Sequence, residues 1–306
     1  MNRDRPTRWY PMLGFFLLAL SLYTLNKELA RYNLQDILNS LSLISYSQLL
    51  GALGFTILSC LVISCYDLIA FRCFKYNLDL KRILFTTFIT YAVSNTTGFT
   101  LIIGGGIRYR FYSLWGVPPK GIAKITALGN ITFWLGLLTL TGITFITNPI
   151  QLPEPINFNP IIIRCLGFVA LLLVGTYLYL CYRRKRFKIK TKYFSLPKFK
   201  ISLAQITIFS LDWALTAAVL YCLIPNYLDK LYPNFLNIYL IAMAASIISN
   251  VPGGLGVFET VMIFLLPQIA APKVLSSLLV YRAIRFLLPL GIALFCVFCF
   301  EVKRRV

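Results

Sequence analysis

The sequence predicts an all-α polytopic membrane protein with about six full transmembrane helices and two opposed re-entrant helical hairpins, arranged as an inverted repeat. Three observations carry that expectation. Of 306 residues, 58% are hydrophobic and 13% are charged, against about a quarter charged in a soluble domain, so lipid suits most of the chain better than water. Charge is lopsided, with 30 Lys and Arg against 10 Asp and Glu, and the basic residues gather in a few loops. Clusters of glycine and proline interrupt two of the apolar blocks, where they weaken a helix.

The blocks run roughly over 10–25, 47–71, 83–107, 121–146, 160–182, 201–224, 235–271 and 277–300. The first follows Arg3, Arg5 and Arg8, as a signal peptide would. It lacks a small-residue cleavage site and reads as an uncleaved span. The third contains Ser94-Asn95-Thr96-Thr97-Gly98 and then Gly104-Gly105-Gly106. The seventh contains Ser249-Asn250-Val251-Pro252-Gly253-Gly254-Leu255-Gly256. Backbone freed by such clusters survives at membrane depth only where protein or a water-filled cavity satisfies it.

Charge assigns sides. Loop 183–200 holds nine Lys or Arg and no acid, which places it in the cytoplasm, where it also meets anionic membrane lipids. Loop 72–82 and the Lys303-Arg304-Arg305 end are expected there too, as is the N-terminus, whereas loop 147–159 has no basic residue and reads as external. Three blocks separate loop 72–82 from loop 183–200, and three more separate that loop from the C-terminus. Three full crossings would put one end outside, so each set must hold one block that enters and leaves on the same side. The broken blocks are the candidates. The third then opens to the cytoplasm and the seventh to the outside.

The halves match with opposite orientation. Asn95 and Asn250 are 155 residues apart, and the order span, span, hairpin, span recurs at nearly that offset. The expected organisation is a single membrane domain of two inverted repeats, 1–150 and 155–306, with the basic loop 183–200 inside the second. Two unrelated kinks used for helix packing are the alternative.

Soluble-enzyme chemistry finds no foothold. Histidine is absent, which removes the commonest general base and zinc ligand. The eight cysteines lie in or beside apolar runs and read as packing residues, including Cys296 and Cys299. There is neither a phosphate loop nor a nucleophile elbow. No cofactor, metal or nucleic-acid partner is expected.

Ionisable residues inside a membrane cost on the order of 3 kcal/mol each at a helix centre and need a reason. Asp212 sits mid-block, Glu259 follows the second glycine cluster, and Arg282 and Arg285 share a helix face. Arg108 and Arg110 follow the first glycine cluster. The expected site is a polar cavity lined by Arg108, Arg110, Arg282 and Arg285, partly neutralised by Glu259 and Asp212. Asn95 and Asn250 stand at the two breaks. Gly98, Gly104, Gly105 and Gly106 supply exposed hairpin backbone on one side, and Pro252, Gly253, Gly254 and Gly256 on the other. Arginine forks and free N–H groups suit an anionic headgroup, phosphate above all. A structural Arg–carboxylate network is the competing reading, and Arg108 and Arg110 also fit as interfacial positive-inside residues. Asp67 lies near a cytoplasmic helix end, where it can reach water.

Residues 249–267 (SNVPGGLGVFETVMIFLLP) and 280–294 (VYRAIRFLLPLGIAL) resemble the signature of the lysylphosphatidylglycerol synthase transmembrane family. Residues 94–117 and 211–225 are similar to its other characteristic stretches, and the resemblance covers essentially the whole chain. The family includes the flippase region of the multiple peptide resistance factor, where a soluble domain aminoacylates phosphatidylglycerol. The chain ends at Val306, so the synthase is not expected here. The resemblance implies movement of an anionic or aminoacylated phospholipid between leaflets by a protein that is not itself an enzyme. An intramembrane lipid-modifying enzyme and a membrane partner of a separate synthase are the alternatives, and homo-oligomers are compatible with either.

Overall fold

The computed structural model describes residues 34–97, 102–149, 159–183, 186–189, 192–225, 231–249 and 251–305. The apolar block 10–25 and residues Gly98 and Asn250 lie outside them.

A short helix, α1 (Leu34–Leu41), precedes α2 (Tyr46–Phe74). Ser45 starts α2 through a reciprocal cap: its Oγ accepts from the Gln48 N–H, and Gln48 Oε1 accepts from the Ser45 N–H. The first broken block becomes two helices packed on each other, α3 (Leu80–Thr97) and α4 (Ile102–Leu114). Next come α5 (Pro119–Thr147) and α6 (Pro160–Tyr182), each with proline in its first turn, where a missing N–H costs nothing. The basic loop carries a two-stranded antiparallel ribbon, β1 (Arg186–Ile189) and β2 (Lys192–Ser195), with Arg186 opposite Ser195. It is the one departure from an all-α fold among the described residues. Helix α7 (Phe199–Leu223) leads to the second broken block: α8 (Tyr232–Ile248), a single turn at Pro252–Gly254, and α9 (Val257–Leu265). The last helix has two parts, α10 (Ala271–Arg282) and α11 (Leu288–Arg305), joined by a widened π-turn at Ala283–Leu287.

Five helices are long and apolar enough to cross a bilayer: Tyr46–Phe74, Pro119–Thr147, Pro160–Tyr182, Phe199–Leu223 and Ala271–Arg304. Helix α6 leaves Ile161, Leu166, Phe168 and Leu172 exposed. An apolar helix that turns such residues outward needs lipid as its surroundings. The protein is therefore an all-α polytopic membrane protein. Its main core lies where Ala217, Leu220 and Leu223 of α7 meet Phe235 and Tyr239 of α8, with Met262 and Leu278 closing it.

The glycine triplet corrects one expectation. Gly104, Gly105 and Gly106 do not break a helix; they lie inside α4. A Cβ on Gly104 would stand 2.9 Å from Ser94 Oγ and 3.3 Å from Thr90 Cγ2, so the missing side chain lets α4 settle on α3. Between helices in lipid, close backbone approach supplies the packing that burial from water supplies elsewhere. The second cluster behaves as expected: Gly253, Gly254 and Gly256 have φ of 62°, 61° and 84° and turn the chain between α8 and α9.

Candidate functional site

The glycine turn of the second half meets α3. A Cβ on Gly253 would come 2.9 Å from the Thr96 carbonyl, so the glycine turn of the second half rests on the end of α3. Beside this contact lies a cavity of about 340 Å³. Ser94 and Asn95 of α3 and Ile102 of α4 line one side, and Val251, Gly253 and Gly254 another. Helix α7 contributes Asp212, Trp213 and Thr216, α8 contributes Tyr239 and Met243, and the last helix contributes Tyr281, Arg282 and Arg285. Asn130, Phe133 and Trp134 of α5 complete the wall.

Each arginine is held differently. Arg282 donates from Nε to Glu259 Oε1 and from Nη1 to the Gly253 carbonyl at 3.2 Å. Glu259 Oε2 accepts from the Gly256 N–H at 2.8 Å. Glu259 therefore fastens the last helix to the glycine turn and caps α9 with a negative charge, which the helix N-terminus favours. Arg285 donates from Nε and Nη2 to Thr216 Oγ1 at 3.4 and 3.2 Å. Its Nη2 stops 3.6 Å from Asp212 Oδ1, beyond a hydrogen bond, while Ser59 Oγ donates to that same oxygen. Among the described residues, the side-chain polar atoms buried without a hydrogen-bond partner include Ser94 Oγ and Trp213 Nε1, whose residues line the cavity. Tyr239 and Tyr281 share a hydroxyl–hydroxyl hydrogen bond of 2.9 Å.

The π-turn aims Arg285. Pro289 has no N–H for the Arg285 carbonyl, and its ring crowds that carbonyl, so the helix widens over Ala283–Leu287. This signal stood in the sequence as a proline four residues after the arginine.

Arg282, Arg285, Asp212 and Asn95 thus come together as expected, with Glu259 directly behind Arg282. Arg108 and Arg110 correct the expectation, since neither lines the cavity. Arg108 is 1% exposed and donates from Nε and Nη2 to both oxygens of Asp67, each at 2.9 Å. Tyr112 Oη adds a third donor to Asp67 at 2.6 Å. Asp67 does not reach water at a helix end; it is 1% exposed and sealed by α4. Arg110, two residues beyond Arg108, faces another way and pairs with Glu301 of α11, half in the open. Sequence reading also passed over Ser59, Asn130, Trp213, Thr216, Tyr239 and Tyr281, whose types are common in any apolar helix.

Fold and site together define a membrane-embedded helical protein that encloses an arginine-bearing cavity between broken helices. The chain belongs to the family described as lysylphosphatidylglycerol synthase TM region, which matches over residues 12–293. It is 40% identical over 294 residues to the protein slr0712 of Synechocystis, covering 95% of this chain and 91% of that one. It is 33% identical over 262 residues to the inner membrane protein YbhN of Escherichia coli, covering 84% and 81%. It is 26% identical over 303 residues to the phosphatidylglycerol lysyltransferase of Staphylococcus aureus strain COL, covering 96% of this chain and 35% of that enzyme.

Proposed function

We propose that this protein moves a phospholipid between leaflets of the cell membrane, taking its anionic headgroup into the cavity at Arg285. The observation that supports this most is the cavity itself. It brings an incompletely engaged guanidinium, the Asp212 carboxylate and the backbone of the glycine turn to one place. Guanidinium and N–H groups of that kind suit a phosphodiester. The packed pairs α3/α4 and α8/α9 are read as the two opposed re-entrant hairpins of an inverted repeat, 1–150 and 155–306. Both termini and the basic ribbon then face the cytoplasm, where the ribbon meets anionic lipid. Cysteines introduced at Ser113 and Ala271 in a cysteine-free background test the topology. Labelling is expected from the cytoplasm for the first and from outside for the second. Labelling of both from one side would sink the opposed arrangement.

Transport is tested with purified protein in vesicles, following leaflet transfer of a fluorescent phosphatidylglycerol. Transfer is expected with the natural sequence and not with Arg285→Ala. Undiminished transfer in that variant would remove the cavity from the path. A second reading draws on the Staphylococcus enzyme, whose match to this chain covers 35% of its length: the protein then serves as the membrane partner of a separate synthase. Co-purification of an aminoacyl-phospholipid synthase would favour it. Lipid analysis of a deletion strain separates transport from catalysis by the chain itself: a missing lipid species favours the enzyme, and unchanged composition with altered leaflet distribution favours transport.

A further inference from the structure

We propose that an anion entering the cavity is taken up together with one proton, and that Asp212 is the group that holds it. This rests on the cavity receiving a phosphodiester at Arg285. Asp67 and Glu259 are buried, Asp212 is half-buried, and the three carboxylates differ in how firmly they are held. Asp67 has two bonds from Arg108 and one from Tyr112. Glu259 has Arg282 and the Gly256 N–H. Asp212 has one hydrogen bond from Ser59, and its counter-charge stands 3.6 Å off, engaged with Thr216 instead. Of the three, only Asp212 lines the cavity.

A phosphodiester carries one negative charge and competes with Asp212 for Arg285. Without a proton, the occupied site would hold two anions against Arg285, since Arg282 is already paired with Glu259, and a carboxylate that loses its counter-charge inside the membrane takes up a proton rather than stay ionised. The exchange balances. The ion pair Asp212⁻–Arg285⁺, the phosphodiester anion and one proton become a phosphodiester–Arg285⁺ pair and a neutral Asp212 carboxyl, still within reach of Ser59. The site's net charge stays the same before and after.

The titratable groups that interact electrostatically with Asp212 leave it as the acceptor. They are Cys60 and Tyr66 on α2, Tyr91 on α3, Tyr239 on α8, and Tyr281 and Arg285 on the last helix, while Arg282, in the same cavity, is bonded to Glu259. The thiol and phenols already carry their protons at neutral pH, and the guanidinium keeps its own. Helix α5 turns only Asn130, Phe133 and Trp134 to the cavity, none of which titrates.

The test is calorimetric titration of the full chain in detergent, in two buffers of unequal ionisation enthalpy. The probes are a phosphatidylglycerol with two short acyl chains and its deacylated headgroup, glycerophosphoglycerol. Neither phosphodiester can bring a proton of its own near neutrality. About one proton should be absorbed per probe bound, and affinity should fall about tenfold per unit rise in pH. Binding of both probes assigns recognition to the headgroup; binding of the acylated probe alone adds a requirement for the tails. Either supports the inference when the proton appears. Asp212→Asn should bind with no proton absorbed and no such pH dependence, while Cys60→Ser and Tyr66→Phe should keep both. Binding by the natural sequence without proton uptake overturns this inference and leaves the cavity reading intact. No binding of either probe overturns both.

Discussion

Arg108 and Arg285 are both buried arginines facing an aspartate on a neighbouring helix, and they are held in opposite ways. Arg108 meets Asp67 fork to fork, two bonds of 2.9 Å with Tyr112 closing the remaining side. Arg285 leans on a threonine and leaves Asp212 at 3.6 Å, beside a cavity. The difference separates two uses of one residue pair. A bidentate pair whose carboxylate takes a third donor is a strut between α2 and α4. A pair with loose geometry and room beside it can trade partners. An intramembrane arginine is thus not a site by virtue of its cost; what matters is whether its donors are already spent.

Breaking the strut should have the largest effect. Asp67→Ala strands the Arg108 guanidinium in the core, and a loss of about 3–5 kcal/mol is expected, read as thermal unfolding of the detergent-solubilised protein. Joint replacement by Asp67→Leu and Arg108→Met should recover most of that, since neither charge is left alone. A single variant as stable as the natural protein would erase the contrast. The cavity pair is probed by Arg285→Lys, which keeps the charge and loses the fork. Vesicle transfer should drop about tenfold, equivalent to about 1.4 kcal/mol, with the unfolding midpoint little changed. If stability fell as far as in Asp67→Ala, Arg285 would be a strut as well.

The two glycine clusters allow a finer test. Gly253→Ala puts a side chain at φ of 62° and against the Thr96 carbonyl, and should cost about 1–2 kcal/mol. Gly106→Ala lies within a helix with nothing inside 4 Å of the new methyl and should stabilise by up to about 1 kcal/mol. Opposite signs on the same unfolding measurement would confirm that Gly253 is needed for its backbone conformation and that Gly106 is not. The smallest effect is expected at Arg110→Gln, which opens a half-exposed pair with Glu301 and should cost no more than about 1 kcal/mol.

Much of this was legible in the residues themselves. That Glu259 and Asp212 neutralise some of the intramembrane arginines followed from a count of such charges, because they seek each other. The turn at Pro252–Gly254 followed from residues that cannot continue a helix. The triplet at 104–106 was misread because glycine serves two purposes, positive φ and close approach, and composition does not say which. Asp67 was misplaced because a helix near its end can face water or protein with the same sequence. The pairing of Arg108 with Asp67 joins residues 41 positions apart, and no local pattern encodes that contact.

By itself the sequence determined that the chain lives in lipid, where its helices run, that two of them are interrupted, and which few charges need partners. Those properties come from hydropathy, from the backbone chemistry of glycine and proline, and from the cost of a lone charge in an apolar medium. Tertiary structure alone decided which charge meets which, that the glycine turn rests on the end of α3, and that a cavity opens beside Arg285 and not beside Arg108. These depend on how helices from distant parts of the chain rotate and pack against each other, which is a property of the assembled bundle.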